Sequence, residues 1–263
     1  LTLLATRTLT IASTAGSFTG VDFNGTQTLA GGGTVVFGGG PTTSNNLRAI
    51  GGGTLTIGSG ITVRADQNGS INTGTVVNQG RIVADTAGRT ITISSALTNS
   101  GTLETAGGVL SLTAFATNTG TVLVSAGTLG LSGTNWNNSA GTIAVNGGVL
   151  NLAGFTTTNL GTFIRNGGTA GTVNITGTLT NPGTFDFNAT TGTWNLAGGT
   201  LSGGACRALA GGGLGMTVTS SVSGGATLDL DLTVPNGAQL DVSGGLTLLA
   251  TRTLTIASTA GSF

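Results

Sequence analysis

Residues 99–134 read NSGTLETAGGVLSLTAFATNTGTVLVSAGTLGLSGT, and the stretch says the same thing twice. Asn99-Ser100-Gly101-Thr102 opens an alternating run, then a second run closes on Leu110-Ser111-Leu112, and Phe115 follows. Asn118-Thr119-Gly120-Thr121 starts the phrase again, with Leu129-Gly130-Leu131 in the place of the second run. Strict apolar–polar alternation over four or five residues marks a half-buried strand. So short a strand cannot bury its apolar side by itself. A phrase that returns after about twenty residues therefore predicts turns stacked on one another. Each turn would lie about 4.8 Å from the next and share backbone hydrogen bonds with the turns on either side.

Working outward, Gly-Thr steps recur at Gly101, Gly120, Gly141, Gly161 and Gly183, spaced by 19, 21, 20 and 22 residues. Gly80-Arg81-Ile82 and Gly60-Ile61 extend the series backwards. Each step leads an alternating run: TLET, TVLV, TIAV, TFIR, TFDF. The second run of each period carries an apolar pair: Ile91/Ile93, Leu110/Leu112, Leu129/Leu131, Leu150/Leu152, Val173/Ile175 and Trp194/Leu196. A third anchor closes most periods, at Leu97, Phe115, Trp136, Phe155 and Leu179. Three inward segments per period predict three-sided coils of about 20 residues in an all-β, right-handed parallel β-helix, or β-solenoid. One polar position keeps step with the glycine. Asn78, Asn99, Asn118, Asn159 and Asn181 each stand two residues before it, and Ser139 takes the place in the remaining coil. In register, their amides would bond up and down as a structural ladder; the alternative is a set of unconnected turn asparagines.

Composition agrees with this reading. Gly is 50 of 263 residues, charged residues are 6%, and there is no His, Tyr or Lys. Branched Thr and Val suit a pleated surface, and Gly and Asn suit tight turns. Apolar content of 38% suffices for a core, which sets the chain apart from disordered tracts. A net charge of zero leaves no basic stripe for phosphates, so no nucleic-acid partner is expected. No apolar run approaches the roughly 18 residues of a membrane span. Two stretches depart from the repeat: the Gly-rich 31–53 and 203–215, expected as irregular coils or protruding loops where a ligand would sit.

A second period is far longer. Residues 1–18, LTLLATRTLTIASTAGSF, return unchanged as 246–263, an offset of 245. Residues 1–245 are read as one solenoid unit of about twelve coils, and 246–263 as the start of an identical next one. The expectation is a tandem array in which residue 264 onward repeats Thr19-Gly20-Val21-Asp22-Phe23, with self as the main partner.

The phrases NSGTLETAGGVLSLTAF, NTGTVLVSAGTLGLSGT and NPGTFDFNATTGTWNLAGG resemble filamentous-haemagglutinin-type and autotransporter-associated β-strand repeats, most closely over residues 54–200. The resemblance implies a secreted bacterial β-helix at the cell surface and brings no catalytic residues with it. The exact 245-residue repetition and the absence of Lys depart from many members.

Candidate chemistry is sparse. Asp229 and Asp231 lie in TLDLDLTV, where alternation puts both on one strand face opposite Leu228, Leu230 and Leu232. Such a pair suits Ca²⁺ or acid–base work, although a solvated outer face is the simpler and favoured account. The other acids are scattered along the chain, and no His or Lys supplies a base. Cys206 has no His to activate it, which favours a buried, inert thiol over a nucleophile or intermolecular link. Trp136 and Trp194 replace apolar core residues of neighbouring coils, which favours packing over sugar stacking. Arg64, Arg81, Arg89 and Arg165 are expected to pair with acids across coils. The Thr54/Thr56, Thr90/Thr92 and Thr253/Thr255 pairs are not matched on every coil, as an ice-binding face would need. No glycine run is followed by the Asp of a calcium solenoid or the Lys of a phosphate loop. The expected function is structural: a stiff extracellular or cell-surface fibre with no enzyme activity and no cofactor. The alternatives are an adhesin stalk that binds glycans or cells through its Gly-rich insertions and, more weakly, a carbohydrate-active β-helix enzyme.

Overall fold

The structure, a computed structural model, describes residues 1–14, 17–40, 44–166 and 170–258. Among these there is no α-helix, a 3₁₀ turn stands at Thr157–Asn159, and the strand pairs are parallel. Strands join in three columns, which are the three faces of a β-solenoid. The first column starts at Thr2–Leu3 and rises through Gln27–Gly31, Thr54–Ile57, Thr75–Asn78, Ala96–Asn99 and Phe115–Asn118. It continues through Trp136, Phe155, Leu179, Leu201 and Val222 to Val242. The second runs from Thr8–Ser13 through Thr34–Gly39, Thr62–Ala65, Arg81–Ala84, Thr142–Val145 and Thr162–Arg165. Thr184–Phe187, Ala205–Ala208, Ala226–Asp229 and Leu246–Leu248 carry it onward. The third runs from Phe18–Asn24 through Ser44–Ile50, Gly69–Asn72 and Thr90–Ile93 to Thr193–Leu196, Gly213–Met216, Leu232–Val234 and Leu254–Ile256. Parallel strands joined by crossovers wind right-handed in nearly all proteins, the sense expected for this chain.

About ten turns of roughly 21 residues make up the stack, and the first two are wider. Thr2 lies opposite Ala30 and Gln27 opposite Leu55, offsets of 28 residues each. The Gly-rich stretches, expected as irregular coils or protruding loops, do not protrude as loops: the first is an irregular, wider coil and the second an ordinary one. Thr34–Gly39 and Ser44–Ile50 form a wide turn in register with its neighbours, and Ala205–Ala208 and Gly213–Met216 belong to an ordinary one. Pro41 and the two threonines after it lie outside the described residues.

The core is a single column of side chains. The six apolar pairs of the second runs are stacked and buried, as are the third anchors. In mid-stack the aromatic rings form a pile: Trp136 lies 5.8 Å from Phe115 and 5.1 Å from Phe155, measured between ring centroids. Trp194 meets Phe163 at 4.9 Å and Phe185 at 5.3 Å. The step glycine has a steric cause. A Cβ on Gly120 would overlap the Gly101 carbonyl oxygen of the turn below, and one on Gly101 would overlap that of Gly80. These corners pass too close to one another for any side chain, although their φ values are ordinary.

Candidate functional site

The most ordered polar feature is inside the solenoid. At the corner between the first and second faces, Asn78 Nδ2 donates to Asn99 Oδ1 (2.7 Å), Asn99 Nδ2 to Asn118 Oδ1 (2.6 Å) and Asn118 Nδ2 to Asn138 Oδ1 (2.5 Å). All four amides are at most 1% exposed, so each must find its partners within the protein. Each also donates to the step-glycine carbonyl of its own corner: Gly80, Gly101, Gly120 and Gly141. Asn138 ends the ladder by donating to the Leu160 carbonyl. The fourth rung is Asn138 rather than the expected Ser139, because this corner holds one extra residue before Gly141. Asn159 is a second correction. Its amide reaches sideways to Asn135 Oδ1 at 3.3 Å, outside the column. Asn181 is buried at the equivalent corner two turns on, where it donates to the Ala205 carbonyl and accepts from Thr157 Oγ1. Below Asn78 the register places Ile57, and Asn78 Oδ1 is left without a partner. A half-buried amide row, Asn151–Asn174–Asn195, runs up the third face at 2.9 and 3.3 Å. Its sequence signal is the central residue of LNL, VNI and WNL.

Charges are spent between turns. Arg48 grips Asp22 with two bonds of 2.6 Å, and Arg207 grips Asp186 with two of 2.7 Å. Arg64 reaches Asp85 at 2.9 Å and Asp66 at 2.8 Å, and Arg81 reaches Glu104 at 2.9 Å. The guanidinium bonds hold the Asp22 and Asp186 carboxyls below the usual carboxylate range. Arg165 has another role: its guanidinium donates to the carbonyls of Ala170, Gly171 and Thr193, and burial pulls its pKa below the ordinary value. Arg89 meets no carboxylate among the described residues.

Asp229 and Asp231 do not share a strand face. The strand Ala226–Asp229 ends at the first, and Leu230 turns the corner buried at 1% exposure. Asp229 Oδ1 accepts from Arg252 Nε at 2.8 Å, and Asp231 Oδ1 accepts from the Thr253 backbone N–H at 2.8 Å. Both carboxylates thus clasp the turn above. Among the described residues no three His, Cys, Asp or Glu side chains come close enough to hold a metal ion.

The remaining candidates are in the core. Cys206 is 1% exposed, stacked between Phe185 and Leu228, and burial pushes its thiol up to about 12, so it carries no thiolate at neutral pH. Trp136 and Trp194 are fully buried and donate to the carbonyls of Ala153 and Thr191. The threonine pairs lie on different faces, Thr54/Thr56 on the first and Thr90/Thr92 on the third. Shallow open grooves run along the corners, one lined by Ser44, Asn46, Asn68, Ser70, Thr90 and Thr92. None of the described helical segments is long and apolar enough to cross a membrane. Searched against family models, curated proteins and solved structures, the chain has no match.

Proposed function

We propose that this chain is a structural segment of a stiff fibre or stalk displayed outside a bacterial cell. One observation carries the reading. Backbone pairing, core packing, the amide ladder and the ion pairs all connect one turn to the next along a single axis. Such a molecule has length and stiffness as its main properties, since each turn rests on the whole area of its neighbour. The likeness of its phrases to bacterial surface-fibre repeats supports the reading of a site outside the cell. Its lack of net charge leaves little repulsion between neighbouring rods and favours lateral bundling.

The absence of enzyme activity is part of the proposal. The two acids that suited catalysis serve as turn-to-turn clasps, and a catalytic carboxylate pair needs a substrate-sized space between its members. An adhesin that grips a glycan through its Gly-rich stretches is the less favoured reading, because those stretches pair within the stack. Electron microscopy of the purified chain, with and without protease, tests the reading. Uniform straight rods that survive digestion support it. Compact particles, or rapid cleavage along the length, defeat it.

A further inference from the structure

The duplicated segment is seen in two settings. As residues 1–13 it carries a turn above it: Leu1 O accepts from Ala30 N (2.8 Å), Leu3 O from Gly32 N (2.9 Å), Arg7 O from Thr34 N (2.9 Å) and Ser13 O from Gly40 N (3.1 Å). As residues 246–258 it rests on a turn below: Leu249 N donates to Leu228 O, Thr253 O accepts from Leu232 N and Ala257 N donates to Val234 O, each at 3.0 Å. Subtracting 245 turns the lower set into Leu4, Thr8 and Ala12. The upper set is Leu1, Leu3, Arg7 and Ser13. No residue belongs to both, because successive residues of a parallel strand point their peptide groups to opposite neighbours. One copy of the segment can therefore hold both turns at once. Burial says the same. Ile11 is 2% exposed beneath its covering turn, while its duplicate Ile256 is 67% exposed.

The two settings also differ in face. Thr2–Leu3 begins the first column, whereas its duplicate Leu246–Leu248 stands in the second, above Ala226–Asp229. Thr8–Ser13 is in the second column, whereas Leu254–Ile256 is in the third, above Leu232–Val234. Leu240–Ser243 occupies the first face of that last turn, above Ser220–Ser223. Along the first column this is the twelfth level from Thr2. The 245-residue unit thus winds through eleven turns and one further face.

The geometry points to a junction in which a second copy of the unit continues the solenoid from residues 246–258, rotated by one face relative to the first. At that junction the segment's own Arg7, which meets no carboxylate among the described residues, is the Arg252 that Asp229 clasps. Residues 27–39 of the second copy settle over Leu246–Leu248 and Leu254–Ile256, as they do over Thr2–Leu3 and Thr8–Ser13. Each unit advances about 54 Å at 4.8 Å per turn, and three units, about 160 Å, restore the starting face. The fibre then has a threefold screw, and every surface feature of the unit appears on each face in succession.

This inference rests on the fibre reading, and the test separates the two. A chain of three tandem units followed by residues 1–18 is imaged by cryo-electron microscopy beside the 263-residue chain. A continuous rod whose successive units are related by about 54 Å and a third of a turn is the expected result. Continuous rods with units in phase, a whole number of turns apart, overturn the junction and leave the fibre reading standing. Separate bodies on flexible linkers overturn both, and a tandem chain that unfolds where the 263-residue chain folds overturns the junction. Amide hydrogen exchange gives a second readout. At the first junction of the tandem chain, the Leu254 and Ile256 amides, which face the open side in the single chain, should exchange at least tenfold more slowly. Unchanged exchange there overturns the junction.

Discussion

At the scale of residues, position in the column matters more than residue type. Asn99 is a middle rung, fully buried, donating to Asn118 and accepting from Asn78. Replacing it with Ala removes its bonds to Asn78, to Asn118 and to the Gly101 carbonyl, and each buried hydrogen bond contributes about 0.5–1.5 kcal/mol. Asn99→Ala should therefore lower unfolding stability by roughly 2–4 kcal/mol, read from a denaturant midpoint. Asn159 looks identical in sequence, two residues before its glycine, but bonds only sideways and stays half-buried. Asn159→Ala should stay within about 0.5 kcal/mol of the parent. Equal losses at the two sites would show that the ladder gives no special stability. Spacing revealed that a ladder exists but not which asparagine fills each rung. One extra residue before Gly141 moves Asn138 onto the rung, and counting residues cannot see the backbone path that absorbs it.

At the scale of the turn, glycines that look alike divide by what lies beneath them. A Cβ at Gly120 has the Gly101 carbonyl in its way, so Gly120→Ala must push two turns apart and should cost about 1–3 kcal/mol. Gly130 is in the long strand that Gly120 precedes, Thr121–Trp136, but a methyl group added there would meet no atom within 4 Å, and its φ is not positive. Gly130→Ala should be neutral or stabilising by up to about 1 kcal/mol, because it narrows the unfolded ensemble at no native cost. Paired thermal melts check this, and a loss at Gly130 matching that at Gly120 would refute the steric account of the corner. The face-forming strands were legible in the sequence because inward residues alternate and return every turn. Leu97, Phe115, Trp136, Phe155 and Leu179 do share one column. The wide turns were not legible: with Gly at every corner, residues 31–53 lack the apolar contrast that marks a strand, and only the neighbouring turns fix their register. The Asp229–Asp231 pair failed for a related reason. Alternation continues through Leu230, but the backbone bends there, and period two cannot distinguish a strand from a corner that preserves it.

For the whole molecule, the eight arginines and eight acids make the balance of charge a property of pH, with neutrality near a pI of 6.3. Bundling of rods should peak there and fade as carboxylates take up protons, because the arginines stay charged throughout and the rods come to repel. The fold should outlast the bundles. Asp22 and Asp186 have folded-state pKa values depressed by Arg48 and Arg207, so their contribution is complete above the unfolded carboxylate value. It is lost only as pH falls through the lower folded values. Both pairs are solvent-facing and screened by salt, which makes that loss small beside the burial of the core. Light scattering should therefore drop on acidification while the circular dichroism of the strands is unchanged, with dispersed, folded rods in between. At high salt the drop in scattering should shrink, since the repulsion between rods is screened within about a Debye length. Strand signal lost together with scattering would mean that cross-turn charge, rather than the stacked core, holds the turns in place. Scattering indifferent to pH would mean that the rods associate through their apolar groups and not for want of charge.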